Sequence, residues 1–218
     1  MLIVDKNRKG PRKQSRQQRR YSRTQEKILI AARTVFSEKG LVASTVEDIV
    51  ERADVGRGSF YYHFENKDEV IRRVIERILA ELVEKINAQC SGQDDLRSVL
   101  DAMIAAHIEF FANRWEDFVL YYQGRADLTL QESYEGLETP FMEYITTIEK
   151  LVDDVVPEPI SKPRLRRLAC AIAGFISGYY SFASVAGEDA DVDKSFRLLR
   201  KAFVVGLARF VKEALPAS

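Results

Sequence analysis

The stretch VGRGSFYYHFENK, from Val55 to Lys67, contains five consecutive ring side chains. A segment this short buries one face at most, so the five rings cannot all belong to a core. On a helical wheel with about 100° per residue, Phe60 and Phe64 lie within about 40° of each other, and Tyr62 points nearly the opposite way. The spacing therefore predicts a short helix with two buried rings and one outward-facing tyrosine.

The tyrosine side of this predicted helix is otherwise small and polar. Gly58 and Ser59 lie on the same side as Tyr62, and Arg57 precedes them. The major groove of DNA is about 12 Å wide and admits one helix, so a recognition helix needs such a face after a tight turn. The pattern favours a helix-turn-helix; an ordinary buried aromatic helix with one surface tyrosine is the alternative.

The surrounding sequence predicts further helices. Proline is absent from residue 12 to residue 139, and single glycines punctuate the chain. We predict a first helix over residues 24–39, a capping box at Ser44 and Glu47 that opens a second helix, and a long fourth helix capped by Asn66. No segment shows sustained strand-type alternation, so an all-α protein of about nine helices is expected. The remaining predicted helices span residues 94–114, 115–124, 129–155, 164–186 and 191–214.

Composition limits the class of protein. The chain has 218 residues, 46% of them hydrophobic, which is enough for a substantial core. It has no apolar run near ~18 residues and too short an apolar start for a signal peptide, so a cytoplasmic protein is expected. Cys90 and Cys170, both in helix-like apolar surroundings, are therefore expected to be buried free thiols, with a disulfide as the alternative. The chain has two histidines, no metal-ligand spacing and no catalytic or cofactor-binding motif, so we expect neither an enzyme nor a cofactor.

The zero net charge hides an asymmetry. Residues 1–75 hold 17 Lys and Arg against 10 Asp and Glu, and residues 1–27 alone hold ten basic and two acidic side chains. A basic end on an acidic body predicts contact with a polyanion. A solvated, disordered tail is the alternative.

The segment ILIAARTVFSEKGLVASTVEDIVERADVGRGSFYYHFENKDEV resembles the DNA-binding domain of the tetracycline-repressor (TetR) family of bacterial transcription regulators. The matching parts are an Ala-rich first helix ending in Phe and Gly, a Ser-Thr start to the second helix, and Tyr-x-His-Phe followed by Lys. Asp54 replaces the usual turn glycine, Gly56 the usual capping serine and Val50 the usual alanine. The resemblance implies a basic tail over residues 1–22, a helix-turn-helix domain over 23–68 and a ligand-binding and dimerisation domain over 69–218.

The resemblance also implies contacts with double-stranded DNA. The phosphate-contacting positions of the family match Thr45, Tyr61, His63 and Lys67. The base-facing positions match Arg57, Ser59 and Tyr62, and Gly58 matches a position of close backbone approach. We further predict that Arg20 and Arg23 enter the flanking minor groove as part of a basic arm. A tail that adds only non-specific phosphate attraction is the alternative.

An effector pocket is expected in the later helices, because members of the family bind small molecules there. A largely apolar or aromatic effector would suit the residues available, with His107 and the tyrosine hydroxyls as polar contacts. Plain core packing, with His107 a core histidine, is the alternative. The predicted lining residues are Met103, His107, Phe111, Trp115, Phe118, Tyr121, Tyr122, Phe141 and Tyr144.

The segment LACAIAGFISGYYSFASVA is apolar nearly all round, so it must be covered on both sides. By resemblance, this helix and the last one form a four-helix interface in a homodimer, with two recognition helices about 34 Å apart on a palindromic operator. The expected function is that of a ligand-responsive repressor. The alternative is an adaptor that binds DNA non-specifically or binds another protein. The predicted interface residues are Ala173, Gly174, Ser177, Gly178, Ser181, Phe203, Gly206 and Phe210.

Overall fold

The structure, a computed structural model, describes residues 16–112, 114–127, 136–156, 160–186 and 192–214. These residues form nine α-helices and contain no β-strand, which confirms the all-α fold. Within the same ranges, no helix is long and apolar enough to cross a membrane. The helices are α1 Arg16–Lys39, α2 Val46–Ala53, α3 Arg57–His63, α4 Lys67–Cys90, α5 Leu96–Phe111, α6 Trp115–Asp127, α7 Glu138–Asp153, α8 Lys162–Ala186 and α9 Val192–Ala214.

Helix α1 begins at Arg16, well before the predicted start at Thr24. Residues 16–22, which the sequence places in a flexible tail, are therefore helical. The segment RQQRRYSR contains no glycine or proline and is rich in Arg and Gln, both of which favour helix. The predicted apolar stripe of α1 is buried, at Ile28, Ala32, Val35 and Phe36.

Helix α2 has its capping box one residue later than predicted. The Oγ1 of Thr45 accepts a hydrogen bond from the Asp48 N–H at 3.2 Å, and the Oδ2 of Asp48 accepts one from the Thr45 N–H at 2.9 Å. Ser44 is buried instead and donates its hydroxyl to the Leu41 carbonyl at 3.0 Å. The predicted box at Ser44 and Glu47 is wrong because adjacent Ser and Thr are equally suited to capping and tertiary packing selects the second.

The turn between α2 and α3 follows the sequence prediction. Asp54 adopts the left-handed conformation, with φ 51°, which Asp accommodates better than most residues. Gly56 is the N-cap of α3 and makes no side-chain cap bond. Phe60 and Phe64 lie in the same buried cluster as Ile49 of α2, so two rings anchor α3 to the other head helices.

Helix α4 connects the N-terminal head, α1–α3, to the bundle formed by α5–α9. Asn66 caps it as predicted, with its Oδ1 accepting from the Glu69 N–H at 2.8 Å. The helix packs against α1 on the head side and against α5, α6 and α7 in the bundle. Helix α7 starts at Glu138, later than predicted; residues 128–135 lie outside the described residues. Both cysteines are free thiols. Cys90 is buried as expected, but the expected burial of Cys170 is wrong because its side of α8 is exposed.

Candidate functional site

Helix α3 has the two-sided arrangement expected from its spacing. Phe60 is 0% and Phe64 2% exposed, whereas Tyr62 is 69% exposed. A Cβ built at Gly58 would meet no atom within 4 Å, apart from its chain neighbours and the backbone of its own helix. The outward side of α3 therefore presents one large ring beside an open stretch of backbone.

Arg57 begins α3 and is held by two neighbours. Its Nη1 lies 2.8 Å from the Oε1 of Glu47, and its guanidinium carbon lies 5.7 Å from the ring centroid of Tyr61. Both charged side chains are more than half exposed, so solvent screens the ion pair and it contributes little to stability. A base edge or a phosphate could replace Glu47 at small free-energy cost.

Lys67 is held by backbone carbonyl groups of the same chain. Its ammonium group donates to the carbonyl oxygens of Leu41, Val42 and Ser44 at 2.9, 3.2 and 2.9 Å. An ammonium group has three donors, and these contacts use all of them. In this conformation the side chain secures the α1–α2 turn, and the phosphate contact of Lys67 stays a prediction. Thr45 remains exposed, and its hydroxyl hydrogen is free to donate because its oxygen is the acceptor in the cap.

His63 lies at the other margin of α3. It packs against the ring of Tyr21, a residue to which the sequence assigned no role. The ring centroid of Tyr21, in α1, lies 4.3 Å from that of His63 and 5.7 Å from that of Tyr62. Burial lowers the pKa of His63, and its Nδ1 is buried with no hydrogen-bond partner among the described residues. The neutral imidazole thus serves mainly as a packing surface in the free protein.

A basic groove separates α1 from the α2–α3 turn. The cavity measures about 370 Å³, and its walls include Arg20, Arg23 and Lys27 of α1 and Gly56 and Ser59 of the turn and α3. Arg20 and Arg23 lie on a helix rather than in a flexible tail, and their entry into the flanking minor groove stays a prediction. The helix holds both side chains beside the α2–α3 turn and the start of α3.

Most of the predicted pocket residues form a closed aromatic cluster in the bundle. Ring centroids lie 5.5 Å apart between Phe111 and Phe118, and 5.7 Å apart between Tyr121 and Phe141. Such separations are typical of packed aromatic pairs. The buried members of the predicted set are Met103, His107, Phe111, Phe118, Tyr121, Phe141 and Tyr144.

Two predicted pocket residues, Trp115 and Tyr122, lie at the exposed edge of this cluster, with ring centroids 5.4 Å and 6.4 Å from that of Phe118. Trp115 is 53% and Tyr122 41% exposed. On α6 they lie within about 20° of each other and about 80° from the middle of the buried face, which Phe118 and Tyr121 define. Their place in the lining of an effector pocket stays a prediction, with both rings on the margin of α6 rather than on its buried face.

His107 is fully partnered inside the cluster. Its Nδ1 lies 2.7 Å from the Met103 carbonyl oxygen, and its Nε2 lies 2.7 Å from the Tyr144 hydroxyl. A neutral ring with its proton on Nδ1 satisfies both contacts, donating to the carbonyl and accepting from the tyrosine. Burial lowers the pKa of His107 to about 4. The alternative of a core histidine is thus the one that the geometry matches.

Further contacts run from Tyr144 towards α8. The Tyr144 ring packs edge to face against that of Tyr121, with centroids 6.2 Å apart. The Nη1 of Arg125 donates to the Ser177 hydroxyl at 2.5 Å, and that hydroxyl donates to the Ala173 carbonyl. These contacts link α7 to α6 and α6 to α8.

An open groove lies beside the cluster, between α4 and α7. It measures about 490 Å³, and its walls include the apolar side chains of Leu79 and Val83, the carboxylates of Glu84 and Glu143, and Tyr144. Tyr144 thus belongs both to the closed cluster and to the wall of the groove. Sequence reasoning missed the groove because it treated the apolar positions of α4 only as core.

The predicted dimer surface divides into an inward and an outward half. Ala173 and Ser177 are buried within the chain, with Ser177 bonded to Arg125 of α6, so they do not lie on the outer surface of α8. Phe203 is half-buried, and its ring stacks on Phe175 with centroids 3.9 Å apart. Gly174 of α8 is exposed. The outward half of α9 includes Leu199, Val205, Gly206 and Phe210, all exposed; Gly178 and Ser181 of α8 are half-buried.

Ion pairs join the head to the bundle. The Nε of Arg33, in α1, lies 2.5 Å from the Oδ1 of Asp117, whose side chain is 0% exposed. The other oxygen of Asp117 accepts from Arg114 at 2.5 Å, and Arg114 also bonds to Glu81 of α4 at 2.5 Å. Arg33 Nε and Asp117 Oδ1 lack hydrogen-bond geometry with any described residue, so we treat their contact as coulombic. Glu81 also accepts a hydrogen bond from Arg77, and Arg77 donates another to Glu26 of α1 at 2.6 Å.

Comparisons with known proteins place this geometry in context. A family model described as "Bacterial regulatory proteins, tetR family" matches residues 28–74. The HTH-type transcriptional regulator YvdT of Bacillus subtilis (strain 168), itself described as uncharacterized, is 33% identical over 131 residues, covering 60% of this chain and 66% of that protein. The HTH-type transcriptional repressor KstR2 of Mycolicibacterium smegmatis is 25% identical over 197 residues, covering 90% of this chain and 83% of that protein.

The fold is also similar to a solved structure over nearly its full length. The fatty acid degradation regulator FadR from Bacillus halodurans matches with a TM-score of 0.65 and 17% identity, covering 95% of this chain and 100% of that one. At this identity the likeness shows the fold alone. Among curated relatives, the chain spans 58% to 66% of the length of three that it matches.

Proposed function

The chain belongs to the tetR family of bacterial regulatory proteins, and from that premise we propose that it is a ligand-responsive, sequence-specific DNA-binding repressor. The observation that carries the proposal is the outward side of α3. Tyr62 is 69% exposed there, beside the open backbone of Gly58, while Phe60 and Phe64 fix the helix from behind. A ring that projects beside an open stretch of backbone can enter the major groove and meet the edges of the bases.

The DNA contacts follow from the positions of side chains around α3. We assign Tyr62, Ser59 and Arg57 to base edges, with Tyr62 meeting thymine methyl groups and Arg57 exchanging Glu47 for a base or phosphate. The phosphate contacts are assigned to the margins of the helix and to the basic groove: Thr45, Tyr61, His63, Arg20, Arg23 and Lys27.

A homodimer would place two such heads on a palindromic operator. The dimer surface would include the exposed apolar side chains Leu199 and Phe210 of α9 and the exposed Gly174 of α8. Small residues at this surface permit close approach of helices, and aromatic side chains supply buried area. A two-fold axis through this surface would repeat each recognition helix about 34 Å away.

The effector would enter through the α4–α7 groove. Leu79 and Val83 make its wall apolar, and Tyr144 connects it to the aromatic cluster, so a largely apolar or aromatic molecule suits it. Insertion would separate α4 from α7 and shift the ion pairs of Glu81, and with them α1. The effector needs to bind the DNA-free state better than the DNA-bound state by ~1–3 kcal/mol.

Selection of bound sequences from a random duplex pool tests the DNA-binding part. The wild type should enrich one palindrome at moderate salt, and Tyr62→Ala should lose it. Met142→Ala, a change at an exposed apolar side chain of α7, is the control and should select the same palindrome. Tight binding without an enriched motif would contradict the proposal and favour an adaptor whose basic α1 binds DNA non-specifically.

The effector site has its own test. Small apolar and aromatic compounds are screened for release of the selected duplex, and the active compound is repeated on Val83→Trp, which fills the α4–α7 groove. Operator binding should persist while release is lost. Met142→Trp, outside the groove, should respond like the wild type. Unchanged release from Val83→Trp would show that the effector binds elsewhere.

A further inference from the structure

The N-terminal extension of α1 brings a third aromatic ring to the recognition helix. The rings of Tyr21 and Tyr62 are nearly perpendicular, at 73°, with centroids 5.7 Å apart, and Tyr21 is tilted by 51° against His63 at 4.3 Å. Tyr62 and His63 are themselves edge to face at 5.3 Å. The three rings form one cluster, the α1–α3 ring cluster, at the end of the outward side of α3.

This cluster restrains the residue that would read the bases. A tyrosine as exposed as Tyr62 ordinarily samples several rotamers, and fixing one of them on binding costs conformational entropy. Edge-to-face contact with Tyr21 favours one orientation before DNA arrives. Tyr21 can do so only because residues 16–22 are helical, since an irregular tail would not hold its ring at a fixed place.

We propose that Tyr21 is a positioning residue for sequence readout: from α1 it braces Tyr62 and His63, so that the helical extension of α1 sets specificity without touching a base. The inference rests on the proposed DNA-binding function and adds a residue to it. Tyr21 acts through Tyr62, whereas the neighbouring cations Arg19, Arg20 and Arg23 add attraction that is the same for every sequence.

Two variants distinguish the contribution of the Tyr21 ring from that of the helical extension of α1. Tyr21→Ala removes the ring at a position where alanine favours helix, so α1 keeps its extension. Tyr21→Phe keeps the ring and is the matched control. Affinities are measured for the selected palindrome, for its single-base variants and for a scrambled duplex, at one salt concentration.

The expected pattern is selective. Tyr21→Ala should bind the palindrome about two- to tenfold more weakly, which corresponds to the loss of one aromatic pair. It should also discriminate less at the base positions where Tyr62→Ala discriminates less, and bind the scrambled duplex as the wild type does. Tyr21→Phe should match the wild type throughout. An equal loss on all duplexes, or no loss, would overturn the proposal.

The double variant decides whether Tyr21 acts through Tyr62. If it does, Tyr21→Ala adds little to Tyr62→Ala, whereas independent contacts would give additive losses and overturn the inference. A wild type that selects no motif would refute the proposed function first, and this inference with it. In the free protein, NMR contacts between the rings of Tyr21 and His63 should be present, and their absence would also overturn the proposal; with two histidines in the chain, the imidazole signals are readily assigned.

Discussion

Arg33 of α1 and Asp117 of α6 meet at 2.5 Å across the boundary between the head and the bundle. The carboxylate is fully buried, and its second oxygen is held by Arg114, so one acidic group receives two arginines from different parts of the chain. The buried carboxylate of Asp117 is costly in free energy unless both arginines stay in place. Movement of the head against the bundle would therefore have to break or shift these ion pairs.

Asp117→Asn should therefore destabilise the protein and reduce the change in DNA affinity that a bound effector causes. Removing one member of a buried ion pair typically costs about 3–5 kcal/mol. Both arginines keep some solvent contact, so we expect a free energy of unfolding lower by about 2 kcal/mol in urea titration at fixed protein concentration. Glu116→Gln is the matched control, because Glu116 lies 3.7 Å from Arg33 but is 43% exposed. It should change stability by less than about 0.5 kcal/mol, and an equal loss in both variants would contradict a special role for Asp117.

Gly58→Ala should separate folding from DNA binding. A Cβ at Gly58 meets no atom within 4 Å outside its own helix and chain neighbours, and alanine favours helix over glycine by about 0.5–1 kcal/mol. The free protein should therefore unfold at the same or a slightly higher temperature. If the backbone of α3 approaches DNA closely here, affinity for the selected palindrome should fall at least tenfold, as measured by fluorescence anisotropy. Unchanged affinity would show that this backbone does not closely approach the groove.

Gly124→Ala should have the opposite profile. Its Cβ would lie 2.5 Å from the Cδ1 of Ile75 and 3.4 Å from the Cε2 of Phe141, so α6 could not stay as close to α4 and α7. Ile75 is buried and has little room to move, and overpacking of this kind costs about 1–3 kcal/mol. Thermal unfolding beside Gly58→Ala gives a matched pair of glycine substitutions. A Gly124→Ala protein as stable as the wild type would mean that Ile75 can adopt another rotamer.

The sequence predicted α3 well because its signal is local. Two rings four residues apart and a tyrosine opposite them leave one way to bury a short helix, and Phe60, Phe64 and Tyr62 follow it. The N-cap at Asn66 and the turn that ends at Gly56 are local features in the same sense. These features depend on neighbours within a turn or two, which a single sequence contains.

Features that depend on distant partners were predicted poorly. Tyr21 was counted in a basic tail, because no periodicity in RQQRRYSR shows that its ring meets α3. Trp115 and Tyr122 share the residue types of the buried cluster but lie at the margin of α6. Ser177 belongs to a stripe of small residues in the sequence, yet its hydroxyl accepts a hydrogen bond from Arg125 of the same chain. A stripe of apolar or small residues predicts that one face of a helix is buried, but it does not identify the element that buries it.

His107 should make the stability of the bundle depend on pH. Its pKa is about 4 in the folded protein, because burial disfavours the charged ring, whereas an unfolded histidine titrates near 6.5. Between these values the unfolded chain binds the additional proton, so the free energy of unfolding should fall as the pH drops from about 6.5 to about 4. The full difference corresponds to about 3 kcal/mol at one pKa unit per 1.36 kcal/mol. His107→Gln cannot take up this proton, so its unfolding free energy should change less over the same range in urea titrations. His63→Gln, at the less deeply buried histidine, should keep most of the wild-type pH dependence, and a His107→Gln curve parallel to the wild type would locate the titrating group elsewhere.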